Sequence, residues 1–248
     1  MGDGTRTLRI LIEYDGTDFA GWQRQPGQRT VQGCVEEAIA QITGKPVKVR
    51  GASRTDAGVH AAGQVASFDV EPRIPEWGLL RALNGLLPRD VAVLDVRQVP
   101  PDFDARRYAR GKVYAYEIWN HLVRSPQRER TTWHVRAPLD LPAMRLAAAV
   151  LVGEHDFRGF RASDCERIST VRLIRRLEIH RMGPLVRIEI EATAFLKNMV
   201  RILVGTLAYV GRGRLNLAAV ERVLETGDRT LAGVTAPPQG LTLVRVIY

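Results

Sequence analysis

Residues 52–60, Ala-Ser-Arg-Thr-Asp-Ala-Gly-Val-His, set Arg54 and Asp56 on either side of one threonine. A carboxylate held in a glycine-containing loop beside a guanidinium can stabilise developing positive charge, attack as a nucleophile or accept a proton. A surface turn uses the same residue types for turn and capping chemistry alone. A second charge stands out farther on. Between Met199 and Val210 the only charged residue is Arg201, flanked by Val200, Ile202, Leu203 and Val204. A helix this apolar is buried over most of its circumference, and a buried guanidinium is tolerated chiefly when it is paired. Arg201 is therefore expected to face a carboxylate or an anionic ligand, with Asp56 as the candidate partner. The alternative is a guanidinium that snorkels along a polar edge beside Lys197 and Asn198.

The elements that must position these residues follow from periodicity. Leu8–Tyr14 reads as a strand, and a loop with exposed-looking Trp22, Gln23 and Arg24 follows it. Thr30 caps a helix in which Cys34, Val35, Ala38, Ile39 and Ile42 recur at helical spacing, and Gly44 closes it. Residues 46–52 and 64–70 read as strands, so the Asp56 motif is a loop between two strands. A helix runs from Pro75 to Leu86, and residues 91–99 alternate as a strand. After residues 99–111 a second group begins, with a strand over 112–120 and an alanine-rich helix from Pro142. Strands over 173–180 and 184–192 are joined by a tight Arg-Met-Gly-Pro connection. Helices over Phe195–Val210 and Leu217–Glu225 and a final strand over 241–248 complete it. Hairpin-like connections predict an α+β fold with mixed or antiparallel sheets. Two αβ subdomains, 1–105 and 106–248, are expected to pack closely, with the site in a groove between them.

The 248 residues carry 36 Lys and Arg against 27 Asp and Glu, a formal net charge of +9. Only Lys45, Lys48, Lys112 and Lys197 are lysines. An arginine excess favours an anionic partner, nucleic acid above all, because planar guanidinium forks suit phosphates and stack on bases. Cys34 and Cys165 lack any Cys/His ligand spacing, so neither a structural zinc site nor a disulfide framework is expected. Residues 1–10 lack the apolar stretch of a signal peptide. The longest charge-free apolar run, Ile202–Gly211, falls short of the roughly 20 residues of a membrane span. A cytoplasmic protein is expected.

Five stretches then stand in order along the chain: residues 13–25 (EYDGTDFAGWQRQ), 53–61 (SRTDAGVHA), 112–116 (KVYAY), 195–205 (FLKNMVRILVG) and 228–241 (DRTLAGVTAPPQGL). Together the chain resembles the TruA-type tRNA pseudouridine synthases almost end to end. Phe19, Ser53 and the variant HDFRGF at 155–160 depart from the family's usual residues, and none touches the position of the catalytic aspartate. The resemblance implies isomerisation of uridine to pseudouridine at tRNA positions 38–40 in the anticodon stem-loop. It implies no cofactor and no metal, a homodimer that cradles the tRNA, and two RRM-like halves flanking a basic cleft. It places Asp56 on the catalytic aspartate, Tyr114 on an active-site tyrosine and Arg201 on the arginine that pairs with the aspartate.

The residues suit that chemistry in their own right. The N1–C1′ bond must break, the uracil must turn and C5 must bond to C1′, with no net oxidation and no atom gained. A carboxylate at C1′ can stabilise an oxocarbenium-like state, trap it as an ester, or abstract a sugar proton; the first two roles parallel the second carboxylate of retaining glycosidases. The target base must leave the stack. Tyr114 offers it a ring face and a hydroxyl, although a strand tyrosine also serves as core. Arg54 binds phosphate or braces the loop. His60 is read as structural, Trp22 as either an RNA-stacking or a core residue. Arg106, Arg107, Arg110 and the arginines between 124 and 130 are candidate phosphate contacts or solvated surface. Two other classes fit part of the pattern. A non-catalytic RNA-binding module shares the charge and the αβ halves without needing Asp56 opposite a buried arginine. A nucleoside hydrolase uses the same carboxylate but is expected to admit water and carry an acidic calcium cluster.

Overall fold

The computed structural model describes residues 5–71, 74–165 and 167–248; the first four residues of the N-terminal stretch read above lie outside these. The chain forms two compact units, one running to Arg110 and including Leu243–Tyr248, the other comprising Gly111–Thr242. The boundary falls five residues beyond the expected 105/106, and most of the final strand belongs to the first unit instead of the second.

The first unit contains β1 (Arg6–Tyr14), α1 (Val31–Thr43), β2 (Arg50–Gly51), β3 (His60–Val70), α2 (Glu76–Leu86) and β4 (Val91–Val99). β1 lies antiparallel between β3 and β4, and β2 pairs with β3, which is the split βαβ arrangement. Another strand, β10 (Leu241–Ile247), neighbours β3. Alternation along β1 assigns the faces: Leu8, Ile10 and Ile12 are fully buried while Glu13 is exposed. Each such burial stabilises by about 1.5–3 kcal/mol. On α1, the Thr30 hydroxyl accepts from Gly33 N, Gly44 closes the helix in the left-handed conformation, and Val35, Ala38 and Ile39 turn inward. The strand expected over 46–52 contracts to two residues because α1 side chains consume the Val49 backbone. Glu36 Oε1 accepts Val49 N at 3.0 Å and Gln32 Nε2 donates to Val49 O at 3.0 Å, leaving nothing for a sheet ladder.

The second unit contains β5 (Gly111–Asn120), β6 (Trp133–Val135), α3 (Leu141–Ala149), β7 (Gly153–Asp156), β8 (Val171–Met182), β9 (Leu185–Ala192), α4 (Met199–Gly211) and α5 (Leu217–Thr226). Its strand order is β7-β8-β9-β5, antiparallel throughout, with β6 parallel to β5. Val186, Ile188 and Ile190 of β9 are fully buried. The alternate residues knit the opposite face by ion pairs, Arg187 to Glu117 at 2.9 Å and Arg176 to Glu189 at 2.6 Å. α4 begins at Met199 and not at the expected Phe195, because Asn198 adopts the left-handed region (φ 59°) and breaks the helical path before it. Among the described residues no helix is long and apolar enough to cross a membrane.

Candidate active site

Asp56 lies in the loop between β2 and β3, half-buried, and the backbone on both sides of it is held by other segments of the first unit. Trp22 N donates to Thr55 O at 3.0 Å, and Gly58 N donates to Phe19 O at 3.3 Å. Fully buried Gln64 accepts Ser53 N and donates to Ser53 O, at 3.2 and 2.8 Å, fixing the start of the loop. Val59 N closes a turn onto Asp56 O at 3.1 Å, with Gly58 at φ +77° in the third position, where a type II turn calls for glycine. The Tyr14 and Thr55 hydroxyls meet at 2.7 Å and both residues are buried. Gly21, at φ +97°, lies so close that a Cβ there would be 2.6 Å from Thr55 O. The loop after β1 is thus a clamp on the Asp56 loop, and the Ala-Gly that follows the aspartate is there to make its turn.

That clamp bears on two further residues of the sequence reading. Trp22, which looks exposed in the sequence, is 2% exposed and packs flat to Gly51, where a Cβ would sit 2.4 Å from the indole. It closes the core under the loop. His60 is buried and its Nδ1 accepts Gly16 N at 3.0 Å, a bracing contact. Arg54 is exposed and forms no hydrogen bond or ion pair among the described residues, so its five donors face solvent.

In the second unit, Tyr114 is buried on β5 opposite Ile190. The residues just ahead of α4, released from the helix by Asn198, bring the Phe195 ring edge-on to Tyr114 at 5.2 Å. Arg201 occupies the first turn of α4 and is half-buried. Its Nε donates to Ala236 O at 2.7 Å, its Nη1 donates to Asn198 Oδ1 at 3.0 Å, and its own carbonyl accepts Ala236 N at 3.0 Å. Residues 229–240 form a strap along α4. Gly233 N donates to Thr206 Oγ1 at 2.9 Å and Tyr116 OH donates to Pro237 O at 2.7 Å. Burial pushes the Tyr116 phenol well above its ordinary range, with nearby Arg201 pulling it partly back, so this donor stays protonated. Sequence reasoning passes over Tyr14, Tyr116 and Ala236, and names Asn198 only as a polar neighbour of a snorkelling Arg201. Their only signal is that they fall inside, or immediately beside the key residues of, the five motif stretches. Among the described residues no three or more His, Cys, Asp or Glu gather as a metal site would need.

With this geometry in place, comparison with known proteins is specific. A family profile described as tRNA pseudouridine synthase matches residues 10–107 and 147–248. A tRNA pseudouridine synthase A from Myxococcus xanthus is 50% identical over 97% of this chain and 91% of its own length. Proteins of the same name from Geotalea uraniireducens and a Thermoanaerobacter species are each 46% identical over 98% of this chain and all of theirs. The match defines an isomerase. The chain belongs to the tRNA pseudouridine synthase family. Arg54, Asp56 and Arg201 fall within the matched segments, whereas Tyr114 lies between them.

Proposed function

We propose that this isomerase converts uridine to pseudouridine at positions 38–40 of the tRNA anticodon stem-loop, with Asp56 as its catalytic carboxylate. The observation that carries this reading is the clamp on the Asp56 loop: hydrogen bonds from Trp22, Gly58 and Gln64 and the Tyr14–Thr55 hydroxyl pair hold one carboxylate on a rigid backbone. A carboxylate acting at C1′ gains from such preorganisation, since its position relative to the sugar sets the barrier. In this reading Asp56 acts at C1′ as the N1–C1′ bond breaks. The freed uracil turns, C5 bonds to C1′, the proton on C5 is lost and N1 gains one, so atoms and electrons balance without a co-reactant. Tyr114 receives the flipped base, and Arg54, whose donors face solvent, takes a phosphate. Arg201 contributes the positive charge that keeps Asp56 ionised. A homodimer working in the cytoplasm belongs to the same proposal.

The test is incubation with unmodified tRNA and mapping of pseudouridine by position. Asp56→Asn should abolish product while tRNA affinity stays within a few-fold; turnover by that variant overturns the assignment. Released free uracil would make the chain a hydrolase, and binding without any change in the RNA would make it a non-catalytic module. For Arg201, replacement by Ala should move the acid limb of the pH–activity profile to higher pH, because a carboxylate that loses its cation binds a proton more readily.

A further inference from the structure

The end of α4 builds a cationic pocket that the reading above does not use. Arg214 N donates to Tyr209 O and Gly213 N donates to Val210 O, both at 2.9 Å, with Gly213 left-handed at φ +68°. This is the Schellman pattern of helix termination, in which the residue after the glycine folds back over the last turn. That position usually packs an apolar side chain. Here it is arginine, and the Arg214 guanidinium lies over the Tyr209 ring, 5.4 Å from its centroid. Arg222 lies on α5. Tyr209, Arg214, Arg222 and Thr230 line one cavity of about 340 Å³ with Leu215 and Leu231 among its apolar walls. Neither Arg214 nor Arg222 makes an ion pair among the described residues, although the chain pairs many of its arginines elsewhere.

We propose that this pocket is an additional RNA contact, holding a backbone phosphate of the tRNA between Arg214 and Arg222, with Tyr209 keeping Arg214 in place. The inference rests on tRNA being the substrate. Two guanidinium groups lining one cavity suit a phosphate's oxygens. The C-terminal end of α4 carries about half a negative charge, which one arginine alone would largely spend itself neutralising. Both are therefore needed, and removing either should cost most of what removing both costs. Tyr209 lies eight residues beyond Arg201 on the same helix, about 12 Å along its axis, so the contact would be made by a nucleotide other than the target.

Filter binding of unmodified tRNA across a salt series tests this without relying on turnover. Arg214→Ala and Arg222→Ala should each weaken binding by roughly tenfold, the worth of one hydrogen bond to a charged group. Each should also lower the slope of log affinity against log salt by about one, as the loss of one phosphate contact requires. Tyr209→Leu should weaken binding less, through a misplaced Arg214. Steady-state turnover should show a raised KM with kcat unchanged, and a wild-type protein that makes no pseudouridine would count against the proposed function and not against this contact. Wild-type affinity and slope in both arginine variants overturn the proposal. So does binding of inorganic phosphate alone that the variants lose while tRNA binding stays intact, which would make the pocket a small-anion site.

Discussion

Tyr14 and Thr55 share a hydrogen bond inside the protein one residue away from Asp56, and the arrangement has an asymmetric cost. Removing one hydroxyl leaves the other without its partner, which costs about 1–3 kcal/mol, whereas the intact pair contributes less than that. Tyr14→Phe should therefore lower stability by that amount. It should also lower kcat by about tenfold or more, since small misplacements of a catalytic group are expensive, with the KM for tRNA nearly unchanged. Thr55→Ser keeps the hydroxyl and Thr55→Val keeps the shape, so near-normal kcat in the first and a large loss in the second would assign the effect to the hydrogen bond. The reverse pattern, a large loss in Thr55→Ser with near-normal kcat in Thr55→Val, would assign it to packing of the threonine methyl. Melting curves and steady-state kinetics on the three variants decide this.

At the level of elements, α4 and the 229–240 strap act as one piece. A Cβ on Gly205 would lie 1.8 Å from Val234 O, and backbone cannot yield as a flexible side chain can. Gly205→Ala should push the strap off the helix, costing about 1–3 kcal/mol as overpacking does. That is a fall in Tm of roughly 2–4 °C per kcal/mol for a chain of this size. Asn198 gives a finer test. Asn198→Gly keeps the left-handed backbone and loses only the acceptor for Arg201, while Asn198→Ala loses both, so thermal melting should show Ala to be the worse by about 1–2 kcal/mol. These positions also mark the limit of sequence reading. The strands and helices with clean periodicity, such as β1, β4, β9 and α1, are legible because burial on one face leaves its mark on residue types. The start of α4 is not, because Phe195–Asn198 look helical and one left-handed asparagine decides otherwise. Strand β2 shrinks because Gln32 and Glu36 reach across from another element, a contact no local pattern encodes. Asp56 and Arg201 stand out as charges in unusual settings, whereas Trp22 stays open between stacking and core because polar neighbours mask a residue that packs on Gly51. The strap is visible only as a run of turn residues within the last of the five motif stretches.

For the whole molecule, the net charge of +9 should make tRNA binding steeply salt-dependent, with log affinity falling by about 0.9 per duplex phosphate contacted against log salt. A flat response in filter binding would mean that the charge is not a nucleic-acid surface. The alkaline limit of stability has a separate origin. Burial raises the phenols of Tyr116 and Tyr248, and each donates to a carbonyl, of Pro237 and Ala105 respectively. Both folded-state values exceed the unfolded value near 10, so their contribution is intact below about pH 10 and is lost as pH rises through the folded values. Denaturant melts between pH 8 and 12 should show that decline, and Tyr116→Phe should flatten it. The strand β10 sets a limit of a different kind. It lies beside β3, close enough that a Cβ on Gly63 would meet Val244 O at 2.3 Å, and β3 begins only four residues after Asp56. Yet residues 111–242 must be synthesised before Leu243, which at 5–20 residues per second takes roughly ten seconds. Throughout that interval on the ribosome, the nascent first unit carries β3 with part of one edge open. An open strand edge invites wrong pairing. Ribosome-arrested chains ending before Leu243 should accordingly expose the Asp56 loop to protease, and chains extended past Tyr248 should protect it.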